Sequence, residues 1–130
     1  MAHILLVEDD DDIRYLLADI LTLSGHEVRT GRDGVEGLRC LDEGFPQVVV
    51  SDVDMPKLDG PGMVYRMFVE NLGRENIPLI FVSASAGLRR IAAAIGTPYF
   101  LAKPFDPSAL LALIGRALRE GLPPRPVLGA

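Results

Sequence analysis

Four apolar stretches of this 130-residue chain each run into residues that can do chemistry. HILLV leads into Glu8 and Asp9, QVVVS into Asp52, PLIFV into Ser83, and PYFLA into Lys103. A carboxylate at the end of a buried strand has apolar walls behind it and solvent in front. Its charge then needs a partner, a metal ion or a chemical task. Brought together, Glu8, Asp9 and Asp52 would repel one another unless a cation sat among them. Oxygen donors in an open acidic site suit a hard divalent ion, and Mg²⁺ in particular, which keeps several waters and takes one or two carboxylates plus a phosphate. Lys103 would face the same point with an ammonium and Ser83 with a hydroxyl, and both suit phosphate oxygens.

Those residues converge only if the elements behind them are neighbours. Five candidate strands, at 3–7, 27–30, 47–51, 78–83 and 98–102, alternate with helical patterns. The first helix carries Ile13, Leu16, Leu17, Ile20 and Leu21 on one face, with aspartates ahead as caps and Gly25 as its stop. The last repeats the spacing with Leu110, Leu113, Ile114, Ala117 and Leu118, after Asp106 and Pro107. Between them, helices are expected at 33–43, at 61–72 through Val64, Met67, Phe68 and Leu72, and at 87–95 through Leu88, Ile91, Ala92 and Ile95.

Strands that read as continuous apolar runs argue a parallel sheet covered on both faces. With right-handed crossovers the leading topology is a flavodoxin-like α/β sheet of five parallel strands, order 2-1-3-4-5, flanked by five helices. Ligands in such sheets bind beyond the carboxyl ends of the strands, and the second strand, which offers only Thr30, Gly31 and Arg32, lies at an edge. The four polar ends then belong to four adjacent strands.

Bulk composition narrows the class. The chain is long enough for one domain with one core, 48% hydrophobic and 24% charged, with a formal net charge of -5. No basic stripe marks a nucleic-acid surface. The single Cys40 forms no internal disulfide and no cysteine cluster suggests zinc. MAHILLV is too short for a signal peptide and no apolar run reaches spanning length, so no membrane association and a cytoplasmic location are expected. The domain is expected to span 1–120, with 121–130, which includes GLPPRPV, as a flexible Pro-rich tail.

VEDD at 7–10, SDVDMPKLDG at 51–60, SA at 83–84 and KPF at 103–105, in this order, resemble the receiver domain of two-component response regulators, over about residues 3–120. The resemblance implies that Asp52 is the phosphoacceptor, taking a phosphoryl group from a sensor histidine kinase or histidine phosphotransfer protein. It implies that Glu8, Asp9, Asp52 and the backbone carbonyl of Asp54 hold Mg²⁺. Ser83 would hydrogen-bond the phosphoryl group and Lys103 pair with it, while Ser83 and Phe100 would act as the switch. A cis bond between Lys103 and Pro104 is also implied. The implied role is signalling rather than enzymatic turnover, by a monomer or weak dimer whose output is a downstream target protein or output domain. Phosphoryl transfer needs mainly positioning and charge neutralisation, which a metal ion and a lysine supply.

Two departures stand out. The interval from Ser83 to Lys103 is tighter than is usual for that family, with GTPYF where a Gly-Ala-Asp-type turn is common, and Asp54 adds an acid two residues past Asp52. Blander assignments cover the remaining polar residues. Asp10, Asp11 and Asp12 are helix-start charges, Asp59 and Gly60 turn formers, Lys57 a solvated amine, and His3 and His26 structural or solvated. Two rival functions are a haloacid-dehalogenase-type phosphohydrolase, which shares the Asp-x-Asp motif but carries it on its first strand, and a pseudo-receiver that keeps the fold without accepting phosphate.

Overall fold

The computed structural model describes residues 1–127. Five parallel strands, β1 (His3–Val7), β2 (Glu27–Gly31), β3 (Val48–Asp52), β4 (Leu79–Ser83) and β5 (Tyr99–Ala102), alternate with five helices. The helices are α1 (Asp11–Leu23), α2 (Gly34–Glu43), α3 (Gly60–Glu70), α4 (Leu88–Ile95) and α5 (Pro107–Glu120). The strand order is β2-β1-β3-β4-β5, the flavodoxin-like arrangement that the apolar runs predict.

β3 and β4 are buried at every position, and strand alternation divides them between two cores. Leu5, Val7, Val49, Leu79 and Phe81 meet the inner faces of α2, α3 and α4. Ile4, Leu6, Val48, Val50, Ile80 and Val82 meet α1 and α5. Both faces of the sheet are therefore dry, and each such side chain contributes about 2 kcal/mol by leaving water. That is why these strands are uninterrupted apolar runs.

Four helices start on an aspartate whose carboxylate accepts a backbone N–H: Asp10 from Ile13, Asp33 from Glu36, Asp59 from Gly62 and Asp106 from Ser108. α4 starts at Gly87 without a side-chain cap. The acidic run at 9–12 thus has a structural task at Asp10, whose side chain closes the first turn of α1.

The helix faces differ from the periodic pattern in α1 and α3, where Leu16, Phe68 and Leu72 are exposed. In α1, Leu17 and Leu21 are buried, but Leu16 is 60% exposed while Arg14 is 5% exposed, because the helix turns its guanidinium back under the β1–α1 loop. α3 ends at Glu70 rather than Leu72: Asn71 adopts the left-handed conformation (φ 53°), which leaves Leu72 exposed. Asn tolerates that conformation better than most residues and ends the helix. A 3-10 turn at Arg74–Asn76 follows, unsignalled by periodicity. Its buried Arg74 donates to Asp42, Glu70 and the Leu38 carbonyl, tying α2 to α3.

Candidate functional site

The carboxyl ends of β1, β3, β4 and β5 lie side by side, which follows from the strand register. Val7 pairs with Ser51, Asp52 with Val82, and Ser83 with Ala102. Each residue next along its strand or loop is one of the sequence's candidates, so a sheet without bulges delivers Glu8, Asp52, Ser83 and Lys103 to one edge.

Glu8, Asp9 and Asp52 each present a carboxylate oxygen, and these oxygens lie within 4.8 Å of one another. Glu8 is 1% exposed and Asp52 7%, whereas Asp9 faces solvent. Lys103 spans the buried pair, its Nζ 2.6 Å from Glu8 Oε1 and 3.1 Å from Asp52 Oδ2. One ammonium thus serves two carboxylates while a third stands beside them.

The charge balance shows in the titration of these groups. Burial holds the Glu8 carboxyl above its ordinary range, and the Asp52 carboxylate pushes it further, against the lowering effect of Lys103. Partial burial and the adjoining Glu8 raise Asp9 as well. Burial pulls the Lys103 ammonium down, but hydrogen bonds to Glu8 and Asp52 outweigh it and leave Lys103 raised. The cluster is short of positive charge. Three carboxylate donors and no nitrogen or sulfur ligand fit a hard divalent cation such as Mg²⁺.

The loops that carry these groups are held from several sides. The Glu8 N–H donates to the Gly31 carbonyl, and the Asp10 N–H donates to Glu8 Oε2 at 3.2 Å. Arg14 Nη1 donates to the Glu8 carbonyl at 3.0 Å while Nη2 holds Asp11 at 2.6 Å. After Asp52 the chain turns through Lys57, in the left-handed conformation (φ 66°), and is clamped where the Gly34 N–H donates to the Leu58 carbonyl. Gly60 packs against the Asp52 carbonyl so closely that a side chain there would collide with it.

Ser83 is buried, with its Oγ accepting the Ser85 N–H at 3.0 Å. The Lys103 N–H donates to the Ser83 carbonyl, which fixes the two loops together. The Lys103–Pro104 bond is cis.

Asp54 lies exposed in the loop leaving β3. Phe100 is in β5, opposite Phe81 and half-buried, with the Arg89 guanidinium of α4 over its ring at 5.8 Å. Its register places it two residues back from the strand end that carries Ser83 and Ala102.

Arg14 is the residue the sequence reasoning missed. Its spacing of three from Asp11 reads as a surface ion pair on a helix, and only its burial and its bond to the Glu8 carbonyl reveal that it holds the acidic loop. The single signal available was an arginine on the apolar side of α1, between Ile13 and Leu17.

Comparison with known proteins places this geometry among relatives. The family profile of the response regulator receiver domain matches residues 4–115. The chain is 37% identical over 119 residues to the probable transcriptional regulator ycf27 of Pyropia yezoensis, covering 90% of this chain and 47% of that protein. It is 34% identical over 129 residues to protein Rrf1 of Nitratidesulfovibrio vulgaris, covering 96% of this chain and 91% of Rrf1. Against the first relative, therefore, it spans about half the length. Among solved structures it is similar to a CheY-like receiver domain protein from Methanospirillum hungatei, with TM-score 0.83, 26% identity and coverage of 93% and 96%. It also resembles NtrX from Brucella abortus, with TM-score 0.82, 31% identity and coverage of 92% and 27%. Asp52 closes the third strand in sequence, which does not favour the phosphohydrolase reading. Among the described residues no helix is long and apolar enough to cross a membrane.

Proposed function

This chain belongs to the response regulator receiver-domain family, and we propose that within it Asp52 is the phosphoacceptor of a two-component or phosphorelay system. The donor is a phosphohistidine on a sensor histidine kinase or a phosphotransfer protein. An Asp52 carboxylate oxygen forms a bond to phosphorus as the P–N bond of the donor breaks, its electron pair returning to the imidazole nitrogen. The product is an acyl phosphate on Asp52.

The observation that carries this reading is the shared ammonium: Lys103 Nζ sits within hydrogen-bond reach of both Glu8 and Asp52. Once Asp52 is phosphorylated, the same Nζ is placed to hold a phosphoryl oxygen. Ser83 supplies a hydroxyl from the adjoining strand. Glu8, Asp9 and Asp52, with the Asp54 carbonyl, would hold Mg²⁺, which neutralises the charge that three acids and a phosphate bring together. Glu8 and Asp9 would orient it, and the buried walls of β1 and β3 keep water from the far side of Asp52.

Phosphorylation adds roughly 1.5 to 2 negative charges at this point. Ser83 and Lys103 re-pair with those charges, Phe100 follows, and the changed surface is read by a downstream protein or an output domain in the cytoplasm. Turnover of external substrates has no part in the scheme.

The test is incubation with Mg²⁺ and acetyl phosphate followed by intact-mass measurement. Wild type is expected to gain one phosphoryl group and Asp52→Asn none. An adduct that persists in Asp52→Asn, or none on wild type, would sink the assignment.

A further inference from the structure

α4 is the one α-helix among the described residues without an N-cap side-chain bond, and residues 122–127 cover its end. It has eight residues, buries only Leu88, Ala92 and Ile95, and leaves carbonyls at its last turn that the helix itself cannot bond. The stretch 122–127 returns across that turn in an irregular, extended path. The Arg125 N–H donates to the Gly96 carbonyl at 3.3 Å and the Val127 N–H to the Ala94 carbonyl at 3.0 Å.

The tail sequence is patterned for this contact. In PPRPV, residues 123–127, prolines occupy three positions, so Arg125 and Val127 carry the segment's only backbone N–H groups. Both are used. Two residues apart in an extended chain, they project from the same edge. The prolines pre-set the extended backbone, which lowers the entropy lost on docking. Pro124 is buried in the contact, and Gly96, in the left-handed conformation (φ 74°), admits the tail: a side chain there would collide with the Arg125 backbone.

The other end of α4 is bonded to the acidic site. Ser83 Oγ accepts the Ser85 N–H at 3.0 Å, Ser85 Oγ accepts the Gly87 N–H at 3.1 Å, and the Leu88 N–H donates to the Ser85 carbonyl at 3.3 Å. A hydrogen-bonded run therefore connects Ser83, α4 and the tail.

We propose that the C-terminal end of α4 is a docking surface for residues 122–127, and that this strap regulates the Asp52 site by holding α4 in place. A Ser83 hydroxyl drawn to a phosphoryl group releases the Ser85 N–H and loosens the start of α4. A loosened α4 presents Ala94 and Gly96 less well to the strap. Because coupling between two binding events is reciprocal, removing the strap makes the phosphorylated arrangement easier to reach. Docking of the strap stands on geometry alone, while its coupling to the site rests on the function proposed above.

Two variants of the full chain separate these parts: a chain ending at Gly121, which keeps the cap of α5, and Val127→Pro, which deletes one donor in a backbone that already favours extension. Amide hydrogen exchange in the unphosphorylated proteins is compared between α4 and α5. Exchange in α4 is expected to rise roughly ten- to thirtyfold on loss of both donors and less in Val127→Pro, with α5 unchanged. Unaltered α4 exchange in both variants overturns the strap. The affinity of each chain for beryllofluoride with Mg²⁺, a phosphoryl mimic, then reads the coupling. The chain ending at Gly121 is expected to bind about fivefold more tightly or better. Faster α4 exchange with equal affinity overturns the coupling. Wild type that binds no beryllofluoride while Asp52 also takes no phosphoryl group counts against the proposed function, and the exchange result decides the strap separately.

Discussion

α1 and α4 both begin a few residues beyond a site group, α1 after Asp9 and α4 after Ser83, and they are built differently. α1 has thirteen residues, an aspartate cap and a buried arginine that reaches back to the loop it leaves. α4 has eight residues, no side-chain cap and a last turn bonded by the tail. The acidic side of the site is thus anchored in its own helix, whereas the hydroxyl side is anchored in a helix that depends on distant partners. The proposed function asks one side of the site to hold a cation with constant geometry and the other to report a new charge, and that division serves both. Rigid elements position ligands, and the less stable elements are those that move.

Arg14 carries the largest expected effect. Arg14→Met leaves the buried Glu8 carbonyl without its donor and is expected to lower unfolding free energy by about 2 kcal/mol in urea titrations. It also frees the Glu8–Asp9 peptide, so Mg²⁺ affinity measured by calorimetry is expected to fall roughly tenfold. Stability lost with Mg²⁺ affinity intact would mean that Arg14 braces α1 and does not position the acids.

Cap exchange is the next test. Asp10→Ala removes the side-chain acceptor of the Ile13 N–H and is expected to cost about 1 kcal/mol. Gly87→Asp offers α4 the cap it lacks, at a position where a side chain meets nothing nearer than Ser85 Oγ at 3.6 Å. A gain of roughly a few tenths of a kcal/mol and slower α4 exchange are expected. Equal effects at the two ends would erase the contrast.

The smallest effect is expected at Glu8, because Lys103 offsets part of its burial. A carboxyl raised in the folded state binds its proton more tightly there than in the unfolded chain. Folding then takes up a proton between the ordinary value of 4.5 and the raised one. Without Mg²⁺, the Glu8 contribution makes stability decline as pH climbs through that window and level off above it. The difference between wild type and Glu8→Gln in denaturant titrations across pH should isolate that slope, and a flat difference would show that Lys103 cancels the burial entirely.

Much of this molecule is written in local patterns. The sheet was legible because strands buried on two faces must be apolar throughout, and Glu8, Asp52, Ser83 and Lys103 because polar residues at the ends of such runs have no packing task. Four motifs in order also carried the family. The helix faces were less legible: Leu16 and Leu72 fit the apolar period but lie in solvent, since α1 gives its inner space to Arg14 and Asn71 ends α3 early.

Local residue types set which strands exist, where α1 and α5 start and which chemical groups stand at the strand ends, because those depend on neighbours within a few residues, whereas Asp33 and Asp59 emerged as the caps of α2 and α3 only in the fold. Only packing buries Arg14 against the Glu8 carbonyl, sets one lysine between Glu8 and Asp52, and brings the donors of the Pro-rich tail to Ala94 and Gly96. The reason is physical. A guanidinium, an ammonium or a backbone N–H has no preferred partner in its own segment, and its partner is chosen by which unsatisfied oxygen the folded chain brings within about 3 Å.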